Sequence, residues 1–163
     1  GPISVKAYID ASYAVHDDCR SQTGCIISLG KGPIYTSSSK QKINTKSSTE
    51  SEVVAIADKS SQVIWSREIL GWLSNQTEEE MLPATIYEDN TAAIQMMKRG
   101  RGCSEKTRHI KIQTFFIGDR MENGDILLYH LNTEEMVADF LTKPLQGKQF
   151  IKLRNMLLNW KAV

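Results

Sequence analysis

Ala84-Thr-Ile-Tyr-Glu-Asp-Asn-Thr-Ala-Ala-Ile-Gln-Met-Met-Lys-Arg-Gly100 changes character halfway along its length. Ala84 to Glu88, introduced by Pro83, reads as a short strand, and Asn90 then opens an alanine-rich helix that ends near Gly100. Upstream, Val5, Ala7 and Ile9 alternate with Lys6, Tyr8 and Asp10, the period of a strand with one apolar face. Thr23 to Leu29 and Pro33 to Ser39 are two more strands, joined through Gly30-Lys-Gly32. From Ser48 to Leu73 there is no proline, and no glycine before Gly71, so this stretch is the main helix. Downstream, Arg101 to Glu105 reads as a loop, Lys106 to Met121 as a helix closed by Asn123-Gly124, and Ile126 to Leu131 as a fifth strand. Glu134 to Leu141 and Gln149 to Trp160 are further helices, the last with Phe150, Leu153, Leu157 and Trp160 along one side. A strand meander followed by alternating helices and strands predicts an α/β domain with a five-stranded mixed sheet flanked by helices.

The 163 residues suit one domain, and 40% hydrophobic with 24% charged residues is ordinary globular composition. No apolar run approaches the roughly 20 residues of a spanning helix. Cys19, Cys25 and Cys103 form no CxxC pair, which argues against a disulfide scaffold or zinc ribbon. Gly1-Pro2 reads as the scar of a cleaved tag, residues 3–145 as the catalytic domain, and 146–163 as an amphipathic helix packed on or extending it. The remaining chain reads as a segment of something longer.

The net charge of +1 hides a segregation. Acids dominate from Glu50 to Asp89, whereas Lys98, Arg99, Arg101, Lys106, Arg108 and Lys111 face a single acid, Glu105. After Asp139 there are only bases, beginning with Lys143. Gathered on one side of a fold, these bases would attract a polyanion.

Asp10 ends the first strand, Glu50 starts the main helix, Asp89 joins the fourth strand to its helix, and Asp139 follows the fifth strand. Strand ends and adjoining helix starts are where ligands collect in open α/β sheets. Four carboxylates brought together there need cations, and hard oxygen donors select Mg²⁺ or Mn²⁺. Two such ions suit in-line phosphodiester hydrolysis. Glu50 has a second reading, since Ser47-Ser-Thr-Glu50 also fits a capping box. Asp10 also reads as a turn former, Glu88-Asp-Asn90 as a helix start, and Asp139 as a solvated helix residue.

Seven words surround these acids in order: Tyr8-Ile-Asp-Ala-Ser-Tyr-Ala14, Ser21-Gln-Thr-Gly24, Lys40-Gln41, Ser47-Ser-Thr-Glu-Ser-Glu52, Tyr87-Glu-Asp-Asn-Thr-Ala-Ala-Ile94, Thr107-Arg-His-Ile110 and Val137-Ala-Asp-Phe-Leu-Thr-Lys-Pro-Leu145. Together, over residues 3–160, they resemble the ribonuclease H domain of the Pol polyprotein of copia-type LTR retrotransposons. The resemblance implies a ribonuclease H-like fold and hydrolysis of the RNA strand of an RNA/DNA hybrid to 5′-phosphate and 3′-hydroxyl ends. It implies two Mg²⁺ ions, replaceable by Mn²⁺, held by Asp10, Glu50, Asp89 and Asp139. Asp10 would bridge the ions, Asp139 would complete the site of the water-activating ion, and Glu50 and Asp89 would hold the other. Glu50 would also touch the 2′-hydroxyl that separates RNA from DNA.

The implied partners are the hybrid and a reverse transcriptase domain upstream in the same polyprotein, with no membrane, in a cytoplasmic virus-like particle. Glu52 rivals Glu50, but about 200° of helix separates them, and Glu50 is the one that the resemblance matches to the family position. Glu88 is expected to point away from Asp89. The histidine that cellular ribonucleases H carry before the last catalytic helix has no counterpart in Asn132-Thr-Glu-Glu135. His130 lies within the fifth strand, and His109 divides between nucleic-acid contact and a structural hydrogen bond. Ser47, Ser48, Asn90, Lys98, Arg99 and Arg101 are candidate substrate contacts, with Ser21, Asn44 and Thr45 behind them. Trp65, Trp72 and Trp160 read as core residues, as do Met96 and Met97. A non-catalytic, hybrid-binding or structural module of a reverse transcriptase is the alternative. An integrase or transposase would instead end its acidic triad with Glu on a long helix.

Overall fold

The computed structural model describes residues 3–100 and 108–159. Five strands, β1 (Lys6–Ser12), β2 (Gln22–Ser28), β3 (Pro33–Lys40), β4 (Ala84–Glu88) and β5 (Ile126–His130), form one sheet in the order β3-β2-β1-β4-β5. The meander β1–β3 is antiparallel, and β4 and β5 add in parallel beside β1. Parallel neighbours require long crossovers. The first is α1 (Ser48–Leu73), and the second is α2 (Thr91–Arg99) with α3 (Arg108–Glu122). This is the mixed α/β sheet expected from the pattern of elements.

The sheet has two covered faces. Ala7, Ile9, Cys25, Ile27, Ala84 and Ile86 point toward α1, where they meet Val53, Ile56 and Val63 in the main core. Tyr8, Ile26 and Tyr87 point the other way, with the two tyrosine rings stacked at 5.0 Å. This second face is covered by Met136, Val137, Ala138 and Leu153. Leu153 belongs to the last helix, α4 (Gly147–Leu157), which also sets Phe150 edge-on to Phe140 at 6.4 Å.

Two sequence expectations are corrected here. Glu134 to Leu141 is not one helix but two 3-10 turns, Thr133–Glu135 and Val137–Leu141, with Met136 extended between them. The break lets Met136, Val137 and Ala138 all face the sheet, which a single α-helical stripe would not. Trp65 and Trp72 are exposed at 56% and 78%, not core. They lie with Ile69 and Leu73 on the outer side of α1, while Met97 is fully buried as expected. Trp160 lies outside the described residues.

Gly24 on β2 seats the second 3-10 turn. A Cβ there would lie 2.9 Å from the Ala138 carbonyl oxygen, 2.9 Å from Thr142 Cγ2 and 3.0 Å from Leu141 Cβ. Backbone and Cβ atoms cannot swing aside as a flexible side-chain tip can. Gly24→Ala is therefore expected to cost about 1–3 kcal/mol through overpacking. A urea midpoint equal to that of the parent chain would show that the turn yields freely.

Candidate active site

Asp10 sits near the end of β1 on the face away from α1, opposite Gly24, and is 1% exposed. Asp89 follows the last residue of the neighbouring parallel strand β4, so both acids emerge at the same end of the sheet. Glu52 reaches them from the first turns of α1. One carboxylate oxygen each from Asp10, Glu52 and Asp89 lies within 4.8 Å of the others, the one such group among the described residues.

Glu50 is not part of this group, and the expectation for it is corrected. Ser47 caps α1 by accepting from the Glu50 N–H at 3.2 Å, and Glu50 Oε2 accepts from the Lys46 N–H at 2.8 Å. That reciprocal arrangement is a variant of the capping box, and it turns Glu50 back toward the preceding loop. Glu52, about 200° further round the helix, is the one turned to the sheet. Its burial, 4% exposed, follows from its row on α1, which continues through the buried Ile56, Ser60 and Val63.

The cluster is electrostatically loaded. Burial raises the Asp10 carboxyl to about 7, with Asp139 and Asp89 adding to the rise and Lys143 and the Thr142 hydroxyl opposing it. Burial also raises Glu52, helped by the charges of Glu88, Asp10 and Asp89 and opposed by a hydrogen bond from the Ala11 backbone. Glu88 shares the buried side of β4 with Ala84 and Ile86, as the strand alternation suggested. It is fully buried beneath the site, its Oε1 accepts from the Asn90 N–H at 2.9 Å, and burial raises its carboxyl too. Oε2 of Glu52 and Oε2 of Glu88 have no hydrogen-bond partner. A buried carboxylate oxygen left without a donor is costly unless something else supplies positive charge. Three carboxylate oxygens within 4.8 Å of one another are a donor set that could converge on a hard divalent cation.

Asp139 lies on the second 3-10 turn, 5% exposed, but its carboxylate is paired with Lys143 rather than grouped with the other three. Lys143 Nζ stands 2.5 Å from Asp139 Oδ1 and 3.8 Å from Asp10 Oδ2. Asp10 Oδ2 also accepts from Thr142 Oγ1, and Asp89 Oδ2 accepts from Thr133 Oγ1 at 2.8 Å. Thr133, Thr142 and Lys143 were missed in the sequence. The basic residue within Ala138-Asp-Phe-Leu-Thr-Lys143, four positions after an acid, was the available signal.

The other candidates separate by place. Asn90 Oδ1 caps α2 through the Ala93 N–H at 3.0 Å, leaving its amide donors free of this duty. Ser48 opens α1 and is exposed. Ser21 and Thr45 are buried with their hydroxyls 3.5 Å apart, which removes them as substrate contacts. Asn44 Nδ2 reaches the Asp18 carbonyl at 3.4 Å. Lys98 and Arg99 are exposed at the far end of α2, and His109 is exposed at the start of α3. His130 is exposed at the end of β5, in register with Glu88. Arg101 lies outside the described residues.

No protein-family model matches the chain. It is 36% identical over 149 residues, 91% of its length, to the retrovirus-related Pol polyprotein from transposon RE2 of Arabidopsis thaliana. It is 28% identical over 147 residues, 90% of its length, to the Pol polyprotein from transposon TNT 1-94 of Nicotiana tabacum. The chain spans about a tenth of the length of these relatives, 10% and 11% respectively. Among solved structures, LC11-RNase H1 isolated from compost aligns with TM-score 0.57 at 17% identity, over 86% of this chain and 93% of that one. The solution structure of the PFV RNase H domain aligns with TM-score 0.57 at 12% identity, over 98% and 92%. LC11-RNase H1 has also been solved in complex with an RNA/DNA hybrid, at TM-score 0.57 and 15% identity over 85% and 93%. The parallel strands that bring Asp10 and Asp89 to one sheet end are thus set in a ribonuclease H fold, and the chain belongs to the retrovirus-related Pol polyproteins of transposons.

Proposed function

We propose that this domain hydrolyses the RNA strand of RNA/DNA hybrids with the help of divalent cations. The observation that carries the reading is the buried Glu52, which groups with Asp10 and Asp89 at the strand ends and keeps one carboxylate oxygen without a hydrogen-bond partner. A purely structural or hybrid-binding module would gain nothing from burying Asp10 and Glu52 beside Asp89, because burial penalises the charged form of both.

Asp10, Glu52 and Asp89 are the residues that would hold the first Mg²⁺, with Asp139 available for a second. A bound cation supplies neutralisation of the phosphate, acidification of the attacking water and stabilisation of the leaving oxygen. The chain's own residues prepare that chemistry. Thr142 and Thr133 orient Asp10 and Asp89 by donating to their Oδ2 atoms, and the Ala11 backbone holds Glu52. Contact with the 2′-hydroxyl, expected of Glu50, passes to Glu52. Ser47, Ser48 and Asn90 ring the same sheet end as contacts for the hybrid backbone, and Lys98, Arg99 and His109 extend the interface away from it. In the parent polyprotein the activity would remove template RNA beside an upstream reverse transcriptase domain, within an intracellular particle. No described helix is long and apolar enough to cross a membrane.

The test is a hybrid labelled separately on each strand, incubated with the protein and Mg²⁺ or Mn²⁺. RNA cleavage leaving 5′-phosphates, with the DNA strand intact and no cutting in chelator, is the expected result. Binding without cleavage would favour the structural module. Lys98→Ala with Arg99→Ala is expected to flatten the salt dependence of hybrid binding, by about 0.9 in log–log slope per phosphate contact on the B-DNA scale. An unchanged slope would return both residues to a solvated helix end.

A further inference from the structure

Asp139 is close to the acidic cluster but held by Lys143. The ammonium lies 2.5 Å from Asp139 Oδ1 and 3.8 Å from Asp10 Oδ2, so it stands between the two carboxylates. Thr142, the residue before it, fixes Asp10 from the same segment. The Lys143 side chain is 37% exposed, which leaves its flexible stem a route to water.

We infer that the Lys143 ammonium is an internal counter-ion occupying the gap between Asp10 and Asp139, and that it competes with a second divalent cation for these two carboxylates. The inference rests on the reading of Asp10, Glu52 and Asp89 as cation ligands. A dication and an ammonium carry like charge and compete for the same carboxylate oxygens. The first cation, facing Glu52 and Asp89, enters without moving Lys143. The second requires the ammonium to swing out and release Asp139, so its affinity is lowered by the ion pair it must break.

Manganese titration without nucleic acid reads this directly, with free Mn²⁺ followed by electron paramagnetic resonance and heats by calorimetry. The parent chain is expected to bind one Mn²⁺ and a second at least tenfold more weakly. Lys143→Met, which keeps the apolar stem and removes the charge, is expected to tighten the second site at least tenfold while leaving the first within threefold. Lys143→Arg keeps the charge and is expected to leave the second site weak, and Asp139→Asn is expected to remove it. Equal affinity of both sites in the parent chain would overturn the inference. So would a folded Lys143→Met chain, verified by circular dichroism, whose second site is unchanged. Asp10→Asn separates the underlying reading: Mn²⁺ binding at full strength in that variant would overturn the ligand assignment itself.

Discussion

Glu52→Gln lowers RNA-strand hydrolysis at least about a thousandfold on this reading, while Glu50→Gln stays within about threefold of the parent chain. Cation-assisted charge stabilisation is worth several kcal/mol, and each 1.36 kcal/mol is about tenfold in rate. Replacing a carboxylate with an amide removes the charge that retains the cation but keeps the volume of the side chain. Glu52 is the buried member of the pair and shares the cluster with Asp10 and Asp89. The Glu50 carboxylate accepts from the Lys46 N–H, and a glutamine oxygen accepts the same bond. Glu50→Ala would keep the Ser47 cap, lose only the bond from the Lys46 N–H, and cost about 0.5–1 kcal/mol of stability without a matching loss of rate. Steady-state cleavage of a labelled hybrid by both variants decides the assignment. Inactivation by Glu50→Gln with normal activity in Glu52→Gln would reverse it.

The second large effect is on stability, and its sign is opposite to that of an ordinary salt-bridged acid. Asp10 has an ordinary value of 3.8 in the unfolded chain and about 7 in the folded one, chiefly through burial. Below the lower value both states are protonated and burial of the group is tolerated. Between the two values the folded chain holds a proton that the unfolded chain has released, so stability falls as pH rises. Above about 7 the full cost is present, on the order of 4 kcal/mol for a shift of this size. Lys143 opposes the loss, whereas Asp139, Asp89, Glu52 and Glu88 face the same region and deepen it. For a chain of this length the melting temperature in chelator is expected to fall by on the order of 10 °C from pH 5 to pH 8. Excess Mg²⁺ or Mn²⁺ binds only the folded carboxylates and is expected to restore about 3 kcal/mol at a hundredfold excess over its dissociation constant. Melting in chelator that is flat or improves over this range would contradict the assignment of these acids.

The alternation of strand and helix from Ala84 to Gly100 placed the fold correctly because period and turn residues are local properties. Asp10 and Asp89 were legible for the same reason, since a polar residue at a strand end announces itself. Choosing between Glu50 and Glu52 demanded the helix register, and the clue was available. Glu52 shares its row with the buried Ile56, Ser60 and Val63, whereas Glu50 lies in the first turn, where Ser47 three residues earlier claims it for the cap. The capping box weighed against Glu50 was the correct reading of its local sequence. Lys143 was read only as one of the bases that would attract a polyanion; its pairing with Asp139 is a local i, i+4 relation, but its approach to Asp10, 133 positions away, is a tertiary relation that no spacing rule contains. The aromatic residues of α1 were misplaced for a similar reason. Their helical spacing identifies a shared face but not what, if anything, lies against it.

The outward position of Trp65 and Trp72 has an optical consequence. Both indoles already meet water in the folded chain, so unfolding changes their surroundings little and their emission is a muted reporter of the transition. Tyr8 and Tyr87 are different. Stacked face to face on the side of the sheet covered by Val137, Ala138 and Leu153, they lose both partner and cover when that layer departs, and near-ultraviolet ellipticity from this pair follows the layer that carries Asp139 and leads into Lys143.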